Sequence, residues 1–301
     1  MPEPPNKNAG DSKKRFEFTD RDMEILRALE RYRYLRTGQI QRLIFPGNKT
    51  IQSTRRRLRY LLQDKCVGRI EPYVQVGKGS AESAYYLDKK GAQILRQAFK
   101  DFKPTLYKKA SRVKYQFLQH ALDISEFRVH LESGLADHTS VELHRFVADF
   151  EIKTHAHNAI GHKRYKLYDE VAHPLNKRNY IVYPDALIIL RGTGKYEDYR
   201  KIYLLEIDRG TEGLRILQNK LIGYNLYLRE GVFKKFGKFT DFRVLFQARS
   251  EKRAQNIRDA FLGMDGNHLV WVTESGLVND KSIIGESIWI DHEGAEQSIL
   301  K

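Results

Sequence analysis

The sequence predicts a mixed α+β and α/β protein of two domains, a small helical one closed by a β-hairpin and a larger one alternating strands with helices. Three observations predict it. The 301 residues suffice for about two domains. A hydrophobic content of 41% supports an ordinary buried core. Apolar spacing is helical at first and becomes a mixture of strand runs and helical stripes after about Arg112. Charge narrows the function classes: 53 Lys and Arg against 38 Asp and Glu leave +15, which favours a polyanionic partner. No apolar run approaches the ~20 residues that span a bilayer, and no signal-peptide pattern opens the chain. The reading is therefore nucleic acid, with no membrane partner. Cys66 is the sole cysteine, which excludes an internal disulfide framework and a Cys-based zinc finger and suits a reducing cytoplasm.

Residues 1–18, rich in Pro, Asn and Lys, read as a disordered tail. Thr19 caps a helix with acids in its first turn and Met23, Leu26, Ala28 and Leu29 as its apolar positions, running to about Tyr34. Thr37 caps a short helix that stops at Pro46-Gly47, and Thr50 opens a third over Ile51 to Lys65 with Leu58, Leu61 and Leu62 inward. Strands over Val67 to Val76 and Ala84 to Leu87 flank the Gly77-Lys78-Gly79-Ser80 turn. Three helices closed by a β-hairpin make a winged helix-turn-helix over 19–92. A helix from Ala92 to Phe99 and a linker follow, over 93–111.

The second domain, 112–301, begins with a helix over Arg112 to Leu131, striped by Val113, Phe117, His120, Ile124, Phe127 and Leu131. Strands are predicted over Val141 to Ile152, Tyr180 to Leu190 and Lys201 to Asp208, with a polar irregular stretch from His155 to Asn179. A helix over Glu212 to Glu230, a strand over Phe242 to Gln247, a helix over Glu251 to Leu262 and a last strand over Leu269 to Thr273 complete it.

Two constellations carry chemistry. The third helix sets Arg55, Arg56, Arg57 and Arg59 opposite its leucines, the layout of a major-groove reader on double-stranded DNA, and Lys78 at the hairpin tip is placed to touch an adjacent phosphate or the minor groove. The second is acidic. Asp185 shares a strand face with Tyr183, Leu187 and Ile189, while Glu206 and Asp208 share one with Ile202 and Leu204. Buried carboxylates of this kind need cations or donors, and three together suit a hard Mg²⁺ or Mn²⁺ ion. Lys220, one helix later on the face of Leu217 and Tyr224, is placed to stabilise a scissile phosphate.

The helix-strand-strand-strand-helix-strand order (αβββαβ) with Pro184-Asp185 and Glu206 on adjacent strands resembles the PD-(D/E)XK restriction-endonuclease-like core. With the winged helix, His120, the string Glu206-Ile207-Asp208-Arg209-Gly210-Thr211, Lys220 and Tyr224, nearly the whole of Thr19 to Thr273 resembles the replication-relaxation family of plasmid and mobile-element proteins. That resemblance, which extends to MOBC-type relaxases, implies a metal-dependent site-specific nickase acting in replication or transfer. It implies Asp185, Glu206 and Asp208 as metal ligands, Lys220 as catalytic lysine, and a homodimer or replication and conjugation proteins as further candidate partners. Asp208 stands where the motif has lysine, so a DNA-bound regulator with a degenerate core is the competing reading. Glu126 is placed as an auxiliary acid or a solvated helix residue. His155-Ala156-His157 matches the His-hydrophobe-His motif of tyrosine-dependent relaxases, with Tyr224 or Tyr227 as nucleophile, but only over three residues opening a polar loop.

Overall fold

The computed structural model describes residues 18–47, 50–71, 82–99, 110–153 and 160–300, which form two compact units divided between Val113 and Lys114. The expected tail, the hairpin tip with Lys78, most of the linker and the His155–His157 pair lie outside the described residues.

In the first unit, helix α1 (Asp20–Tyr32) starts where Thr19 donates both its backbone N–H and its hydroxyl to Asp22 at 2.8 Å. Ile25, Leu26, Leu29 and Tyr32 recur at helical spacing and are fully buried. A two-residue strand absent from the sequence reading, β1 (Leu35–Arg36), leads into α2 (Thr37–Ile44). Helix α3 (Gln52–Gln63) follows, shorter at both ends than expected. Strands β2 (Val67–Ile70) and β3 (Ala84–Leu87) join β1 in an antiparallel sheet of order β1-β3-β2. Helix α4 (Lys89–Ala98) is capped by Asp88, whose carboxylate accepts the Lys89 N–H at 2.7 Å. It packs so tightly that a Cβ on Gly91 would stand 2.2 Å from the Cys66 carbonyl oxygen. Cys66 itself is buried.

The second unit opens with α5 (Tyr115–Leu135), followed by β4 (Val141–Ala148), β5 (Asp169–Ala172), β6 (Asn179–Val182), β7 (Ala186–Gly192) and β8 (Arg200–Asp208). Then come α6 (Leu214–Arg229), β9 (Arg243–Ala248), α7 (Glu251–Phe261), β10 (Val270–Glu274), the one-turn α8 (Ser282–Gly285), β11 (Trp289–Ile290) and β12 (Glu296–Gln297). A seven-stranded mixed sheet runs β12-β11-β10-β9-β8-β7-β4, with the β8–β9 and β9–β10 pairs parallel and the other pairs antiparallel. One face buries Leu187, Ile189, Leu204 and Phe246 against Leu217 and Leu221 of α6 and Ile257 of α7. On the other face Phe127 of α5 meets Trp289 of β11 edge-on at 6.4 Å.

Three expectations are corrected. Phe117 is 57% exposed; the inward stripe of α5 turns instead through Leu118, Leu122, Ile124, Phe127 and Leu131. The predicted strand Tyr180 to Leu190 is two strands. Its first part, β6, pairs with β5 in a separate ribbon that reaches into the stretch read as irregular. Pro184 has no N–H for a ladder, and Asp185 uses a carboxylate oxygen to accept the Ile207 N–H at 2.7 Å, so the chain changes sheets there. Finally, the sheet does not end at Thr273: β11 and β12 extend it, each too short to carry a periodic signal.

Candidate functional site

The break between β6 and β7 places Asp185 at the mouth of the large sheet. One oxygen accepts the Ile207 N–H, and the other meets His120 Nε2 of α5 at 2.8 Å. Burial alone pushes the imidazole down, but Asp185, with Asp149 and Glu206, reverses this and raises it to about 9. The imidazolium therefore donates to an ionised Asp185. Burial pushes Asp185 up, yet the charge and hydrogen bond of His120, then Lys220 and the Ile207 N–H, hold it below the usual carboxylate range.

Glu206, one strand over and 3% exposed, meets Lys220 of α6 at 2.9 Å and accepts the Tyr224 hydroxyl. Its carboxyl is pushed up to about 7, first by burial, with Lys220 opposing and Asp185 adding to the rise. Burial works against the Lys220 ammonium, but Glu206, Asp185 and Glu212 together hold it well above the ordinary lysine value. Lys220 also meets Glu212 at 2.9 Å. Asp185, Glu206 and Lys220 thus form one electrostatic group, with His120 and Tyr224 fixing its two carboxylates.

Asp208 stands apart from that group. Arg253 of α7 grips both its oxygens, with a second guanidinium nitrogen at 3.2 Å, and the Gly210 N–H donates to it at 2.9 Å. Arg253 also donates to the Glu212 carbonyl at 2.7 Å. These bonds fasten the turn from β8 into α6. Glu126 is engaged with His130 at 3.2 Å. Among the described residues, no group of three or more His, Cys, Asp or Glu side chains is disposed to share a metal ion. Asp185 and Glu206 bring two carboxylates together at adjacent strand positions, Glu206 buried and Asp185 partly exposed, and Asp185 contributes to the rise at Glu206. The sequence reading missed Glu212 and Arg253. Glu212 directly follows the Glu206–Thr211 string, whereas Arg253 carries no local signal because the partnership spans 45 residues.

In the first unit Arg55, Arg56 and Arg59 are exposed on α3. Arg57 is not with them. Its Nε donates to Asp22 at 2.8 Å, a carboxylate with no exposed surface, and a second nitrogen grips the other oxygen. The residue expected to face DNA thus ties α3 to α1. The charge is divided unevenly: residues 1–113 hold 26 Lys and Arg against 12 Asp and Glu, residues 114–301 hold 27 against 26. Among the described residues no helix is long and apolar enough to cross a membrane. A family model described as replication-relaxation matches residues 26–242. No curated protein matches the chain.

Proposed function

Because the chain belongs to the replication-relaxation family, we propose that it is a DNA-binding protein of a plasmid or mobile element and nicks DNA in replication or transfer. The helix-strand-helix-helix-strand-strand order of the first unit reads as a winged helix. Its third helix would lie along duplex DNA with Arg55, Arg56 and Arg59 toward base edges and phosphates. The concentration of basic excess in residues 1–113 supports this assignment.

The second unit reads as a PD-(D/E)XK-like core, and a single observation carries the nickase: Asp185, Glu206 and Lys220, from a strand mouth, a neighbouring strand and a helix, meet in one electrostatic group with Glu206 buried within it. Asp185 and Glu206 would hold Mg²⁺ or Mn²⁺, which when bound supplies an activated water and neutralises phosphate charge. His120 and the Ile207 N–H orient Asp185, and Tyr224 orients Glu206. Lys220, protonated throughout the neutral range, stabilises negative charge growing on a non-bridging phosphoryl oxygen. Asp208 acts on the turn through Arg253 and Gly210 and stays outside the ligand pair. A cytoplasmic location follows from the same reading.

One observation favours a second reading, a replication or transcription regulator on a silent core: His120, Lys220 and Arg253 supply an internal cation to each of the three acids. Supercoiled plasmid carrying the element's own origin region, incubated with Mg²⁺, Mn²⁺ or chelator, separates the two. Metal-dependent open circles that disappear in Asp185→Ala and Glu206→Ala establish the nickase. Tight binding without nicking in either metal leaves the regulator.

A further inference from the structure

Residues 160–183 hold a group of rings that the acid cluster does not use. His162 and Tyr168 lie nearly parallel, their centroids 6.1 Å apart, and Tyr165 and Tyr183 do the same at 5.9 Å. Tyr183 also receives His162 and Tyr168 edge-on, each at 5.7 Å. The Arg164 guanidinium covers the Tyr165 ring at 4.9 Å from its centroid. Core packing accounts for Tyr183, which lies partly buried against the main core, but not for the others, because His162 and Arg164 are exposed and Tyr165 and Tyr168 only half-buried.

The charge of the segment is equally distinctive. Residues 160–183 hold five Lys and Arg against two acids, whereas residues 114–301 as a whole hold 27 against 26. The rest of the second unit holds 22 against 24, so the unit's small net positive excess falls within this segment. Lys163 and Lys166 are paired with Glu170 and Glu151. Arg164, Lys177 and Arg178 meet no acid among the described residues, and Arg178 covers Tyr180 at 5.0 Å toward the far end of the β5–β6 ribbon. The ribbon also leaves Leu175 and Ile181 exposed. The track ends at the acid cluster: Tyr183 donates to the Asp149 carbonyl at 2.9 Å, and the Asp149 N–H donates to the Asp185 carbonyl at 2.9 Å.

We propose that His162, Tyr165, Tyr168 and Tyr183, with Arg164 and the cations of the β5–β6 ribbon, form a stacking platform for unpaired bases of single-stranded DNA. Ring faces and a guanidinium plane offer nothing to a closed duplex, whose base faces are covered, but they fit unstacked bases of any sequence while the cations follow the backbone. The inference rests on the reading of the second unit as one that acts on DNA. It adds that the strand reaching Asp185 and Glu206 arrives opened, with bases parked on the rings.

The test is fluorescence anisotropy of the full chain with a labelled oligothymidylate and, separately, a blunt duplex, both in chelator so that no cutting intervenes. Tyr165→Ala and His162→Ala are expected to weaken oligothymidylate binding about fivefold to a hundredfold per ring. Tyr165→Trp should restore it, and duplex binding and the unfolding temperature should not move. Arg164→Gln should shallow the single-strand salt slope by about 0.7. Oligothymidylate binding unchanged in both alanine variants, equal losses on duplex, or no single-strand binding by the parent would each overturn the platform. Loss of nicking bears on the acid cluster alone, so the two readings fail separately.

Discussion

His120 and Glu206 set the pH response at the level of single residues. The raised imidazolium of His120 contributes stability that is complete below its unfolded value near 6.5 and is lost as pH rises through about 9. That amounts to at most about 3 kcal/mol. Glu206 acts in the same sense at lower pH: its contribution is complete below about 4.5 and lost as pH rises through about 7. Asp185, held low, contributes above about 3.8 and loses its share in acid. Thermal unfolding of the parent should therefore fall in temperature between pH 6.5 and 9, and His120→Gln should flatten that upper limb and also weaken the acid limb, because His120 no longer holds Asp185 low. A His120→Gln profile identical to the parent would show that the Asp185 contact does not govern it. Asp185 and Glu206 were legible as acids in apolar strands. His120 was read as a stripe histidine that carries the family resemblance, but its partner was not legible, since 65 residues separate it from Asp185.

At the scale of elements, helix α3 separates two kinds of arginine that look alike in sequence. Arg57 neutralises Asp22, whose carboxylate also closes the first turn of α1 through Thr19. Arg57→Ala leaves that buried charge unpaired and should destabilise the first unit by about 3 kcal/mol. Arg55→Ala, Arg56→Ala and Arg59→Ala should change stability by less than about 0.5 kcal/mol and instead weaken duplex binding, each lowering the salt slope by about 1. Denaturant melts beside salt-titrated duplex affinity distinguish the classes, and an Arg57→Ala protein as stable as the parent would return that residue to the outward face. Helical periodicity made α3 readable, but three consecutive arginines turn through about 200° of the helix and so set one beside the buried face, and which one is held there depends on the acid of a neighbouring helix. The same limit hid the β6–β7 break. Tyr180 to Leu190 is apolar enough for one strand, and only the missing N–H of Pro184 and the substituting carboxylate of Asp185 divide it.

For the whole molecule, charge and aromatic chemistry are distributed differently, and on the proposed reading the two units would divide duplex from single-stranded DNA between them. Residues 1–113 carry nearly all the positive excess, while residues 114–301 are close to neutral and keep a local basic strip beside stacked rings. Contacts to phosphate weaken steeply with salt, with a slope of about 0.9 per neutralised phosphate on duplex and about 0.7 on a single strand, while stacking adds affinity that neutralises no phosphate. Separately produced 1–113 and 114–301 should each fold, as seen by circular dichroism and cooperative melting, because each has its own buried core. The first should retain most of the salt-sensitive duplex affinity. The second should retain the single-strand affinity with the shallower salt response. Duplex affinity found mainly in folded 114–301 would reverse the assignment of docking to the first unit. Single-strand affinity found only in 1–113 would remove the ribbon and its rings from the path to Asp185 and Glu206.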